Sequence, residues 1–279
     1  VPDVVKRLLG NRSAAIGLAI VLLYLVMAVL GAFELTPYPP NQQHPRPADR
    51  LQPPGATYLM GSDQFGRDIF SRVLRGTIYS LRVALISVAI ATLLGTAIGM
   101  ISGYVGGTMD TLIMRIMDVF FAFPAILLAL AVVSALGPGP NNAIPAIAVV
   151  YTPIFARVAR APVLSVKAME FITAARCIGM RHWRILFRHV LPNAVAPVLV
   201  TISLALSWAL LTEAGLSFLG LGPQPPEPSW GLMLKDGRNL MESAPWLAIF
   251  PGLAIMLGVL GFNLLGDGLR DVFDPRLRR

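Results

Sequence analysis

The sequence predicts an all-α polytopic membrane protein, one domain over residues 1–279 built from six membrane-crossing helices. Three observations carry that prediction. Of the 279 residues, 55% are hydrophobic and only 14% are charged, where a soluble domain carries nearer a quarter charged. The apolar residues gather in six runs, each about the 20 residues a helix needs to cross roughly 30 Å of hydrocarbon. The basic residues sit in short segments between those runs, not along one stripe. The net charge of +8 therefore follows the positive-inside rule and gives no nucleic-acid surface. Cys177 is the single cysteine, so no internal disulfide can form. With three histidines it makes no metal-ligand spacing.

Residues 1–15 carry Lys6, Arg7 and Arg12 against Asp3, which holds this end in the cytosol. The first run, 16–35, lacks a small-residue cleavage site and is long enough to span, so it is a retained span and not a cleaved signal. Residues 36–56 are too rich in proline for a helix and begin an external segment that reaches residue 80. In the second run, 81–103, Gly95, Gly99 and Gly103 recur every four residues and form a smooth ridge for close packing.

A cytosolic turn at 104–110 leads to the third run, 111–136, where Pro124 predicts a kink. Arg115 and Asp118 are three apart and placed to pair with each other. The fourth run, 143–161, is disturbed by Pro145 and Pro153; such breaks favour a helix that lines a pathway, which makes Pro153 a pathway candidate. Arg157 and Arg160 sit at its inner end, within reach of headgroups.

Residues 162–192 form a basic segment outside the bilayer. Pro162 ends the preceding run, and Ser165 is placed to N-cap a helix from Val166. Val166, Met169, Ile172 and Thr173 share one face of it, and Ala174 and Ala175 admit close approach of another backbone. Gly179 supplies a left-handed elbow, a second amphipathic piece follows over 181–188, and Pro192 opens the next run at a first-turn position. The alternative is an ordinary solvated basic loop.

The fifth run, 194–218, carries Glu213 near its outer end, a residue either of the pathway or of the bundle's internal bonding. An external loop, 219–245, leads to the sixth run, 246–265, and a tail with Arg270, Arg276, Arg278 and Arg279. On this topology fifteen Lys and Arg lie inside and eight outside, with both termini cytosolic.

Two stretches resemble a known family. Thr173-Ala174-Ala175, then Gly179, then Leu191-Pro192 is similar to the EAA loop of bacterial ABC-importer permeases. Thr173 stands where that family usually has glutamate, His189 where it often has isoleucine, and Glu170 lies one turn back on nearly the same face. Gly61-Ser62-Asp63 through Gly66-Arg67-Asp68, Ser71-Arg72 and Gly76, with the later Glu213–Gly222, Pro225-Pro226 and Pro228–Leu234 stretches, resembles the C-type permease subunit of dipeptide, oligopeptide and nickel importers. The resemblance implies the type I importer (MetI-like) fold in a bacterial plasma membrane. It assigns Glu170, Thr173, Ala174, Ala175, Gly179, Met180, Arg181 and Pro192 to coupling with an ATPase. It assigns Gly66, Arg67, Asp68, Ser71, Arg72 and Trp230 to an external signature, with Trp230 at the outer interface in a loop packed on a partner. Arg67 and Asp68 are adjacent, so their partners lie elsewhere.

No phosphate loop ending in Gly-Lys-Ser/Thr exists, since none of the three lysines follows a glycine. Neither a zinc-protease helix nor a serine nucleophile elbow is present. The chain is thus expected to bind no cofactor, with ATP and magnesium on separate ATPase subunits, two of them or one fused. The remaining implied partners are a homologous B-type permease, an external substrate-binding protein, the lipid bilayer and a peptide or peptide-like solute. A secondary transporter, the competing reading, requires inverted repeats and paired midplane charges, and the sequence shows neither.

Overall fold

The computed structural model of the protein describes residues 10–43 and 47–273. Lys6, Arg7, Arg276, Arg278 and Arg279, and with them much of the terminal charge used to orient the chain, lie outside the described residues. The helices are α1 (Arg12–Ala32), α2 (Ile69–Val105), α3 (Gly107–Phe121), α4 (Ala125–Leu136), α5 (Pro140–Lys167) and α6 (Glu170–Cys177). They continue with α7 (His182–Phe218), α8 (Trp230–Arg238) and α9 (Trp246–Phe273). Five are long and apolar enough to cross a membrane, and the bent pair α3 and α4 makes a sixth if counted as one span.

Several helices outrun the apolar stretches that announced them, each for a local reason. α2 begins at Ile69, so the external segment ends at residue 68 and not at 80. Asp68 caps it by accepting from the Ser71 backbone N–H at 2.8 Å and from the Ser71 hydroxyl at 2.5 Å. α2 and α7 each run 37 residues, about 55 Å at 1.5 Å per residue, well beyond the hydrocarbon. The excess is the polar outer turns of α2 and the basic inner turns of α7, which hydropathy does not register. A five-residue π-helical stretch, Leu186–Val190, marks where α7 changes from one to the other.

The prolines act differently from expectation at two places. α5 continues through Pro145, Pro153 and Pro162 to Lys167. Pro162 does not end it, and Ser165 lies inside it, its hydroxyl donating to the Ala161 carbonyl at 3.3 Å. Packing against α2 along the length of α5 outweighs the hydrogen bond each proline removes. At Pro124 the opposite happens. α3 and α4 meet at 90°, a break and not a kink: Pro124 itself leaves the helical region, at φ −55° and ψ 132°, and opens α4 as its N-cap.

Close backbone approach holds the bundle. A Cβ at Gly95 would lie 2.6 Å from the Phe155 Cβ and one at Gly99 2.8 Å from the Ala156 carbonyl carbon, so the predicted ridge seats α2 against α5. Gly17 meets the Leu265 and Gly261 backbone and thereby seats α1 on α9. Trp230, Phe155, Ile147 and Leu210 are among the largest fully buried side chains.

Candidate functional sites at the two ends of the bundle

The segment joining α5 to α7 forms the first site. α5 ends at Lys167, whose ammonium donates to the Gly103 and Val105 carbonyls at 3.4 Å each. After a short turn, α6 starts at Glu170 with Met169 in extended conformation before it. Ile172 and Ala175 point inward and anchor the helix, while Glu170, Thr173, Ala174 and Arg176 are exposed. At its C-terminus Gly179 has φ +77°. The Met180 N–H donates to the Ala175 carbonyl at 3.0 Å and the Gly179 N–H to the Arg176 carbonyl at 2.9 Å. That is the Schellman pattern, and glycine meets its left-handed requirement without a Cβ penalty. Arg181 then precedes α7, and Pro192 lies inside the continuous α7 at the first turn of its regular α-helical part.

This turn is braced against the span ends and offers apolar surface outward. The Tyr104 hydroxyl and His182 Nδ1 lie 2.8 Å apart, and the Arg176 guanidinium sits 5.6 Å from the centre of the Tyr104 ring. Ile178 is 78% exposed and Trp183 66% exposed, side chains that a free-standing surface would not leave in water. Ile178, Gly179, Met180, Arg181 and Trp183 line one open groove. Of the eight residues assigned to coupling, seven lie on this turn and Pro192 lies just beyond it.

Two ion pairs tie the inner end of α5 to α3. Asp110 accepts from Arg160 at 2.5 and 2.7 Å and from the Ser102 hydroxyl at 2.5 Å. Asp118 pairs with Arg157, whose guanidinium also lies 4.0 Å from the centre of the Phe121 ring. Arg115 is therefore not the partner of Asp118, and Arg157 and Arg160 hold α3 instead of reaching for headgroups. The break at Pro124 turns α3 towards α5, which brings carboxylates opposite both arginines.

At the opposite end, Asp63 organises the second site. Its Oδ1 accepts from the Phe65 and Arg67 N–H groups at 2.8 and 2.9 Å, and its Oδ2 accepts from Arg67 Nε at 2.6 Å. Gly66 takes φ +74° to close this turn. Arg72 Nε stands 4.0 Å from the same carboxylate. Its Nη1 donates to the Pro40 carbonyl at 3.1 Å and to the Asn41 side-chain and Pro226 carbonyl oxygens at 3.3 Å. Arg72 thus staples together two segments far apart in sequence, at 40–41 and 226. Asp236 on α8 joins the cluster, where burial pushes its carboxyl pKa up against the opposing pull of Arg67 and Arg72. Asp63 belongs to the motif but is not among the site residues that the sequence points to; its signal is the aspartate bonding the N–H two residues on, an Asx-turn.

Trp230 does not lie at the outer interface. It is fully buried, its indole N–H donates to the Val73 carbonyl at 3.1 Å, and its ring meets Tyr24 edge-on at 5.4 Å. Gly76 leaves the space for it. Pro153 and Glu213 are buried as well. Glu213 Oε1 accepts from the Ser217 hydroxyl at 2.7 Å, while Oε2 has no hydrogen-bond partner among the described residues.

A bundle of membrane-crossing helices that leaves an anchored helix exposed between two of them has the architecture of a transport permease driven by a separate subunit. Residues 95–279 match the family described as binding-protein-dependent transport system inner membrane component, and residues 2–54 match the N-terminal TM domain of oligopeptide transport permease C. The chain is 46% identical to the dipeptide transport system permease protein DppC of Alkalihalophilus pseudofirmus, over 98% of this chain and 89% of that one. It is also 46% identical to the glutathione transport system permease protein GsiD of Pectobacterium atrosepticum, over 96% and 89%. A solved structure of the MetNI methionine ABC transporter in an inward-facing conformation superposes with a TM-score of 0.60 at 18% identity, over 72% of this chain and 96% of that one. The chain belongs to the binding-protein-dependent ABC-importer permeases, as a membrane-embedded transport subunit without an ATPase site of its own.

Proposed function

We propose that this chain is the C-type half of a permease heterodimer that imports short peptides across a bacterial plasma membrane. Its partners in this reading are a homologous B-type permease, two ATPase subunits or one fused ATPase, and an external binding protein that delivers the solute. ATP and magnesium are held by the ATPase, and this chain needs no cofactor. Both termini face the cytosol. ATP-driven closure of the ATPase moves α6, and α5 and α7 carry the movement to the spans.

The single observation behind this reading is α6 itself, anchored by Ile172 and Ala175 with Thr173, Ala174 and Ile178 left uncovered. Peptide cargo is supported by the names of the relatives, dipeptide and glutathione permeases. The test is to purify the tagged chain from its native host. A second permease and an ATPase should come with it, and the reconstituted assembly should accumulate labelled trialanine only when ATP and the binding protein are both present. A lone chain that transports without ATP would overturn the proposal.

A further inference from the structure

Arg75, Ile78, Tyr79 and Arg82 lie on one face of α2, spaced three, four and seven residues from the first. That face forms one wall of a cleft of about 510 Å³, within the range of small-molecule sites. Pro223, Gln224 and Glu227 of the external loop form the facing wall. The cleft lies at the end of the bundle that carries Asp63, beside the end of α1 and the start of α5.

Its charges are arranged in two poles. At one pole Glu227 stands 3.5 Å from Arg75, both partly exposed. At the other, Arg82 is exposed and has no ion pair among the described residues. Tyr79 lies on the same wall, with its hydroxyl buried beneath the cleft surface. Seven residues of helix separate Arg75 from Arg82, about 10 Å along the axis. An extended peptide advances roughly 3.3–3.6 Å per residue, so about three residues cover that distance.

We infer that this cleft receives a short zwitterionic peptide end to end, with the carboxylate on Arg82 and the ammonium on Glu227. The fork of Arg82 matches a carboxylate bidentately. Glu227 exchanges part of its contact with Arg75 for the incoming ammonium. The site favours two or three residues because longer extended chains cannot seat both termini on the two poles. The inference rests on the peptide reading above and adds to it where the termini are read.

The test uses the assembled complex in proteoliposomes with its binding protein and three probes: trialanine, trialanine amide and N-acetyltrialanine. Uptake ratios are compared between the wild-type chain, Arg82→Met and Glu227→Gln. The binding protein's own preference is common to all three and cancels. Arg82→Met should reduce the acid-to-amide ratio roughly tenfold, the loss of one charge-assisted contact, and leave the amine-to-acetyl ratio unchanged. Glu227→Gln should do the reverse. A purely structural role would move both ratios together or neither, and either result overturns the assignment of the cleft. Absence of ATP-dependent trialanine uptake by the wild-type complex would instead overturn the peptide reading, and the inference with it.

Discussion

Asp63 shows what one carboxylate does at a crowded turn. It holds two backbone N–H groups and the Arg67 side chain, and it is the nearest negative charge to Arg72. Arg67 is 5% exposed and Arg72 3%, so Asp63→Ala would leave buried cations without compensation. Breaking such a pair costs about 3–5 kcal/mol, and the detergent-purified complex should unfold at a clearly lower temperature than wild type. An unchanged midpoint would mean that Asp236 and solvent suffice. The pairing itself was not readable from the chain. Adjacency rules out an Arg67–Asp68 pair without naming Asp63 as the partner of Arg67, and helical spacing pairs Arg115 with Asp118, whose actual partner is Arg157. Local spacing decides which groups face the same way, while tertiary packing decides which are desolvated together. At the other end Glu170 is exposed and free to meet a partner chain. Glu170→Ala should leave the fold intact and weaken ATPase association roughly tenfold, measured by titrating the purified ATPase onto the permease in nanodiscs.

At the scale of elements, the glycines separate packing from conformation. Gly99 abuts the Ala156 backbone, so even Gly99→Ala must push α2 and α5 apart. Overpacking of this kind costs about 1–3 kcal/mol, and membrane-inserted yield should fall. Gly179 has nothing within 4 Å of its notional Cβ. Gly179→Asn should therefore be tolerated, since asparagine accepts left-handed geometry. Gly179→Leu is strained at φ +77° by about 1–2 kcal/mol, which the bundle should survive. It should fail to couple ATP hydrolysis to uptake, because leucine resists the left-handed elbow and adds a side chain towards the docked ATPase. Equal coupling in the two variants would remove the elbow from the mechanism. The elbow was legible because a glycine between two amphipathic pieces has few other uses. The span limits were less so. Hydropathy sees the hydrocarbon and misses the polar turns, such as Ile69 to Ser80, that continue a helix beyond it. It also misses a helix like α5 that keeps its course through three prolines because a neighbour supports it.

At the scale of the whole molecule, the fold places its two kinds of polar surface at opposite ends. The Asp63 network, α8 and the charged cleft cap one end; α6, Gly179 and Trp183 project from the other. Alternation of the long helices makes this unavoidable: the connections from Ala32 to Ile69, from Lys167 to His182 and from Phe218 to Trp246 each stay at one end, and between Val105 and Pro140 the chain crosses once through α3 and α4. Cys177 is exposed on α6 and is the only thiol in the sequence, so it reports which end faces the cytosol. A membrane-impermeant maleimide applied to intact cells should leave it unmodified. Labelling should appear once the membranes are opened and the ATPase is stripped away. The control is Glu242→Cys in a Cys177→Ser background: Glu242 is exposed in the loop between α8 and α9, at the far end, and should label from outside without opening the cell. The two reporters must give opposite answers, because an odd number of crossings separates them. Labelling of Cys177 from outside together with protection at residue 242 would invert the orientation. It would remove α6 from the reach of any cytosolic ATPase, and the coupling role of residues 170–181 would fall with it.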